Sequence, residues 1–189
     1  PAFAAVPAFC SGSTAPTLPT TSTNGITGTW SPAVVSNTTS GTYTFTPAVG
    51  QCATTTTLDI TVTPNVTPTF AAIPDFCSGS PAPTLPGTST NGITGTWSPT
   101  TISNTSSATY TFTPGAGQCA TTMTLDVTVT PNVTPTFNAI PAFCSGSTAP
   151  TLPITSTNGI TGTWSPALVS NTTSGTYTFT PAIGQCATT

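Results

Sequence analysis

Lysine, arginine, histidine and glutamate are all missing from this sequence of 189 residues, and Asp59, Asp75 and Asp126 are its only charged side chains. Each absence removes a class of chemistry. Without His or Lys, no ordinary general base exists for a Ser, Thr or Cys nucleophile, so an enzyme is not expected. With no basic residue to neutralise phosphate, nucleic acid is excluded as a partner, and anionic membrane surfaces with it. No apolar run approaches the ~20 residues of a membrane span, so no membrane insertion is expected in this segment. Zinc is not expected, because there is no Cys-x-x-Cys and no His. One carboxylate per repeat is too few oxygen ligands for calcium. No metal or cofactor is therefore expected. Lys–Asn isopeptide bonds are impossible without Lys, and a Thr–Gln ester at Gln51 has nothing in the sequence to support it. A 3.6-residue apolar stripe is also missing, so no helix is foreseen.

What is present is threonine, 51 residues of it, together with 21 prolines. Thr favours strands and tolerates water on one face, and Pro marks turns and strand edges. The expected class is all-β. Cys10, Cys77 and Cys144 are spaced by 67 residues, as are Cys52, Cys119 and Cys186. Every aromatic obeys the same period: Phe3, Phe9, Trp30, Tyr43 and Phe45 each return twice. A repeat of this length organises the chain, with expected domains at 1–66, 67–133 and 134–189.

The clearest local signal is Asn24-Gly25-Ile26-Thr27-Gly28-Thr29-Trp30-Ser31-Pro32, unchanged at 91–99 and 158–166. Asn-Gly is the preferred pair for a type I′ hairpin turn. Beyond it, Ile26, Gly28 and Trp30 point one way and Thr27, Thr29 and Ser31 the other. Trp30, Trp97 and Trp164 are expected in small cores near Tyr43, Tyr110 and Tyr177, because an aromatic ring buries so much area. A surface Trp that stacks on a ligand is the alternative. Other strands are expected at 3–6, 17–23, 34–35, 42–46 and 52–63. In the last of these Cys52, Thr54, Thr56, Leu58, Ile60 and Val62 share the inward phase, which leaves Asp59 and its counterpart Asp126 facing solvent.

A unit of this size is marginal alone, and six cysteines in small β units point to disulfides in an oxidising compartment. In an immunoglobulin-like sandwich the first and last strands can run parallel, and cysteines at the start of each would meet. The expected pairs are Cys10–Cys52, Cys77–Cys119 and Cys144–Cys186, one per repeat. The rival is Cys52–Cys77, which would staple neighbouring repeats. Between repeats, Pro64-Asn65-Val66-Thr67-Pro68 and its copy at 131–135 read as a semi-rigid spacer. Asn37, Asn65, Asn104, Asn132 and Asn171 sit in Asn-x-Ser/Thr triplets, which occur by chance in so Thr-rich a chain.

Across the whole chain, the run Phe-Cys-Ser-Gly-Ser…Asn-Gly-Ile-Thr-Gly-Thr-Trp-Ser-Pro…Tyr-Thr-Phe-Thr-Pro…Gly-Gln-Cys-Ala-Thr-Thr resembles tandem repeats of very large surface proteins of Bacteroidota. It is most similar to the SprB-type gliding-motility adhesin of flavobacteria. That resemblance implies immunoglobulin-like β-sandwiches in series, export by type IX secretion, and display as extracellular filaments on the bacterial surface. It brings no catalytic residues. The expected function is a structural and adhesive array whose partners are neighbouring repeats, surface polysaccharides or other copies of itself. Many weak contacts in such an array add through effective concentration. A carbohydrate-binding module array is the alternative and requires exposed aromatics. Ice binding by outward Thr42, Thr44 and Thr46 is a third, although strand propensity explains those rows more simply. The chain opens at Pro1 with neither Met nor signal peptide and is read as part of something longer. The third repeat has no counterparts of Leu58, Ile60 and Val62, so an open groove is expected beside its first strand.

Overall fold

The Asn-Gly turn forms a three-residue loop rather than the expected type I′ turn. The Gly25 amide donates to the Ser22 carbonyl at 3.0 Å, and the Ser22 amide donates to the Ile26 carbonyl at 2.8 Å. Gly25 has φ 82°, and no residue other than glycine has a positive φ anywhere in the chain. A type I′ turn needs two such residues, whereas a three-residue loop closed by a left-handed glycine needs one. The Asn24 side chain has another task. Its Oδ1 accepts from the Ser22 hydroxyl at 2.7 Å and from the Ala2 amide at 3.0 Å. Ser22 Oγ in turn accepts the Ile26 amide at 2.9 Å. These bonds satisfy Ser22, one of three buried polar side chains, and tie the start of the chain to the loop.

The computed structural model describes residues 1–189, and its only regular elements are strands. No helix is long and apolar enough to cross a membrane. The first sequence copy contributes β1 (Phe9–Cys10), β2 (Gly28–Ser31), β3 (Gly41–Pro47), β4 (Thr56–Ile60) and β5 (Val62–Thr63). The second contributes β6 (Phe76–Cys77), β7 (Gly95–Ser98), β8 (Ala108–Pro114), β9 (Met123–Val127) and β10 (Val129–Thr130). The third has only β11 (Gly162–Ser165) and β12 (Thr178–Pro181).

In the first copy β2, β3 and β4 form an antiparallel sheet in which Trp30 faces Phe45 and Tyr43 faces Leu58. β1 and β5 pair in parallel, with Phe9 opposite Val62 and Cys10 opposite Thr63. The period-2 pattern places Trp30, Tyr43, Phe45 and Ile60 in one buried cluster with Val35, covered by Phe3, Val6, Phe9, Leu18 and Leu58. Phe3, Trp30 and Phe45 meet ring to ring, with centroids 4.7 to 5.2 Å apart and tilted or edge-on, as aromatic quadrupoles prefer. Gly28 is required here: a Cβ would strike the Thr46 carbonyl oxygen and come within 2.5 Å of Phe45 Cζ. The Tyr43 hydroxyl accepts the Ser36 amide at 2.8 Å.

Several expected strands are not strands. Residues 3–6 are irregular, although Phe3 still packs against Trp30. Residues 17–23 contribute only an isolated bridge from Thr21 to Thr27. Residues 34–35 form none, with Val34 exposed and Val35 buried. The last strand begins at Thr56 instead of Cys52 and breaks at Thr61. There the chain leaves β3 and crosses to β1, and the Ser40 hydroxyl accepts the Val62 amide at 2.9 Å at the break. From Thr56 onward the expected phase holds. Leu58, Ile60 and Val62 turn inward, and Asp59 stays in solvent, accepting the Thr42 hydroxyl at 2.6 Å.

The chain divides into two compact units, neither of which is a single sequence copy. The first comprises residues 1–71, 86–98 and 111–124, so it contains β1 to β5 and β7. Within it Phe70, Trp97 and Phe112 repeat the aromatic trio, at 4.7 to 5.1 Å. The second comprises residues 72–85, 99–110 and 125–189. Here β6 and β10 pair in parallel, and β11 pairs with β12 as an isolated two-stranded sheet.

Candidate functional site: stapled junctions and an open groove

The disulfides differ from the expected pairs. Cys10 is bonded to Cys119 and Cys77 to Cys186, while Cys52 and Cys144 are free and exposed. The parallel pairing of first and last strands does occur, but its register sets Thr63 opposite Cys10. Cys52 lies too far up the chain, roughly 35 Å if extended, and a disulfide needs Cα atoms within about 7 Å. The rival pair Cys52–Cys77 is not formed either. There are two disulfides in 189 residues, and each joins one sequence copy to the next.

The junction in the first unit can be built from its residues. β5 holds β1 in place, and the Ser11 amide donates to the Thr63 carbonyl at 2.9 Å. The loop carrying Cys10 is closed by the Ser13 amide on the Cys10 carbonyl at 3.0 Å and the Gly12 amide on the Asn37 carbonyl at 2.8 Å. The loop carrying Cys119 is set by Gly117 at φ 82° and by Gln118. The Gln118 side-chain oxygen accepts the Thr94 amide at 2.9 Å, and its nitrogen donates to the Thr94 carbonyl at 2.9 Å. The two sulfurs meet with Cα atoms 5.0 Å apart.

The proline-flanked linker does not run free beside this bond. The Val66 amide donates to the Cys119 carbonyl at 2.8 Å, and the Thr121 amide donates to the Val66 carbonyl at 3.0 Å, a parallel bridge between Val66 and Ala120. Asn65 Nδ2 donates to the Ser11 carbonyl at 3.0 Å. In the second unit the same contacts surround Cys77–Cys186. Asn132 reaches Ser78 at 3.0 Å, and the Val133 amide reaches the Cys186 carbonyl at 2.9 Å. Each disulfide spans a sequence separation of 109, which in the chain-entropy model removes about 4.8 kcal/mol of unfolded-state freedom.

Trp30 and Trp97 are buried, at 8% and 6% exposure, and Trp164 is half-buried. Tyr43 and Tyr110 are buried in the cores as expected, and Tyr177 is half-buried. Each indole N–H donates at 2.8 Å to a proline carbonyl, of Pro19, Pro86 or Pro153, so the polar edge of the ring is already satisfied. The largest opening in the third copy is a cavity of about 430 Å³ lined by Ile140, Phe143, Val169, Ser170, Thr173 and Tyr177. It occupies the place that β5 covers in the first copy, and it leaves Phe143 at 40% exposure. The groove foreseen there is present.

No group of three or more His, Cys, Asp or Glu side chains gathers anywhere that could hold a metal. The Asn side chains of three glycosylation triplets, Asn65, Asn132 and Asn171, are engaged with the carbonyls of the cysteine loops. Sequence reasoning missed three junction features: Val66 with Val133, Asn65 with Asn132, and Gln118 with Gln185. One signal was available, since Val66 is the single apolar residue between the two linker prolines. Comparison with protein-family models, curated proteins and solved structures finds no match to this chain.

Proposed function

We propose that this chain is a structural and adhesive segment of a very large bacterial cell-surface filament protein, a gliding-motility adhesin of the SprB type. On this reading it is a tandem array of immunoglobulin-like β-sandwiches with a 67-residue period, exported by type IX secretion and acting outside the cell as a semi-rigid stalk. The observation that carries the proposal is the stapled junction. Each one combines a disulfide with a hydrogen-bonded linker, so tension along the chain meets covalent bonds between successive copies rather than a loose tether. Disulfides of this kind belong to an oxidising compartment. The exposed face is uncharged Thr and Ser, suited to weak contacts that add through multivalency. The carbohydrate-module alternative loses its stacking platform, because the indole rings of the first two copies are buried.

Beads coated with the purified chain at graded densities test this. Detachment force from polysaccharide-coated glass should rise steeply with density, while the free chain in solution binds with Kd no tighter than about 1 mM. Saturable binding of a soluble glycan near 1 μM, with one site per copy, would replace the array with a lectin-like module.

A further inference from the structure

Both formed disulfides join the same two loops. One is the Phe-Cys-Ser-Gly loop of one copy, and the other is the Gly-Gln-Cys-Ala loop of the following copy. One loop of each kind is left over, carrying the two free cysteines, Cys144 and Cys52. These unused loops hold the hydrogen bonds of the used ones. At Cys144, the Ser147 amide donates to the Cys144 carbonyl at 3.0 Å and the Gly146 amide to the Asn171 carbonyl at 2.8 Å, as at Cys10. At Cys52, Gly50 has φ 92°, and Gln51 Oε1 accepts the Thr27 amide at 3.0 Å, as Gln118 does with Thr94. Both thiols are exposed and presented in the backbone geometry that elsewhere forms a bond.

We propose that Cys144 and Cys52 are complementary disulfide half-sites that join copies of this chain head to tail, Cys144 of one molecule to Cys52 of the next. A separation of 109 residues from Cys144 passes the last residue, and the same step back from Cys52 passes the first. A second copy supplies both partners. The oxidant is a small-molecule disulfide of the glutathione class. The Cys144 thiolate attacks its S–S bond, forms a mixed disulfide and releases one small thiolate. The Cys52 thiolate of the second molecule then attacks the Cys144 sulfur, forms the protein disulfide and releases the second small thiolate. The two protein thiol protons go to water. Two protein thiols are oxidised and one small disulfide is reduced to two thiols. The inference rests on the loops and not on the adhesive reading, so it stands or falls separately.

The test uses two single variants, Cys52→Ser and Cys144→Ser, which leave both formed disulfides intact. Under oxidised glutathione the unaltered chain should give a ladder of multiples of 18.8 kDa on non-reducing gels. Alkylating the free thiols beforehand should abolish that ladder. Each variant alone should stay monomeric. Mixing them should give one dimer and nothing longer, with the mixed dimer exceeding each self-dimer by about tenfold, where random pairing gives only about twofold. Non-tryptic peptide mapping of ¹⁵N-labelled and unlabelled chains should locate Cys144–Cys52 between molecules. Self-dimers formed as readily as mixed ones, a mixture that stays monomeric, or a Cys52–Cys144 bond within one chain would each overturn the proposal.

Discussion

The first and third sequence copies carry the same Asn-Gly-Ile-Thr-Gly-Thr-Trp-Ser-Pro run, yet they bury it differently. In the first copy Trp30 and Tyr43 are core residues, and Phe9 lies under a parallel strand. In the third, Trp164 and Tyr177 are half-buried and Phe143 is exposed. Local structure is nearly unchanged: the turn, the Trp–Pro hydrogen bond and the aromatic trio recur, with Phe137, Trp164 and Phe179 at 4.7 to 5.1 Å. The difference is the pair of strands that in the first copy come from residues 56–63. Without them β12 is shorter than β3 and has one neighbour instead of two. The hairpin and its aromatic trio are therefore a local device, whereas burial of the tyrosine and of the first strand depends on a segment far away in sequence.

The sharpest way to break this comparison is through the cysteines. Replacing Cys77 and Cys186 together by Ser should lower stability by about 4–5 kcal/mol in urea titrations, through the long loop that the bond closes. Replacing Cys52 and Cys144 together should change it by less than about 0.5 kcal/mol, since both are free and exposed. Equal losses from the two pairs would mean that the staples are not as assigned.

Next in size are the tryptophans. Trp97→Ala should destabilise by about 3–5 kcal/mol, the range for a buried aromatic, and Trp164→Ala by about half as much, because its ring is already partly in water. Circular dichroism melts of the two variants decide it. Equal effects would put the third copy on a par with the others.

Glycines separate packing from backbone freedom. Gly95→Ala should cost about 3 kcal/mol, because the new methyl strikes the Thr113 carbonyl and the Phe112 ring. Gly117→Ala, at φ 82° with open space around it, should cost only about 1 kcal/mol. The smallest effect needs no mutation. Hydrogen exchange at the amides near Tyr177 should be about tenfold faster than near Tyr43, whose strand is paired on both sides. Equal protection would show that the isolated hairpin holds without its missing neighbours.

Much of this architecture was legible in the residues. Thr abundance and strict alternation around Tyr43 and Phe45 foretold strands and their inward faces, and a single Trp per copy foretold the core. The parallel association of first and last strands was also foreseen. The turn type was misjudged because a propensity for Asn-Gly describes the loop in isolation, while the Ala2 and Ser22 partners of Asn24 lie outside it. The extent of the last strand was overestimated because alternation continues through Cys52 and Thr54, where no neighbouring strand is available to pair with it.

The sequence by itself determined what this chain is unable to do and what each copy is made of. With no base, no cation and three carboxylates, most chemistry is closed to it whatever the fold, and period-2 apolar spacing selects strands because alternate side chains face opposite sides. Only the tertiary structure decided which cysteines meet. Spacing gives each Cys two equivalent suitors 67 residues apart, and nothing local distinguishes them. The choice falls to strand register and to the linker's parallel bridge, which carry Cys119 to Cys10 and leave Cys52 in solvent. A disulfide forms where two Cα atoms come within a few ångströms, and that distance is a property of the folded chain.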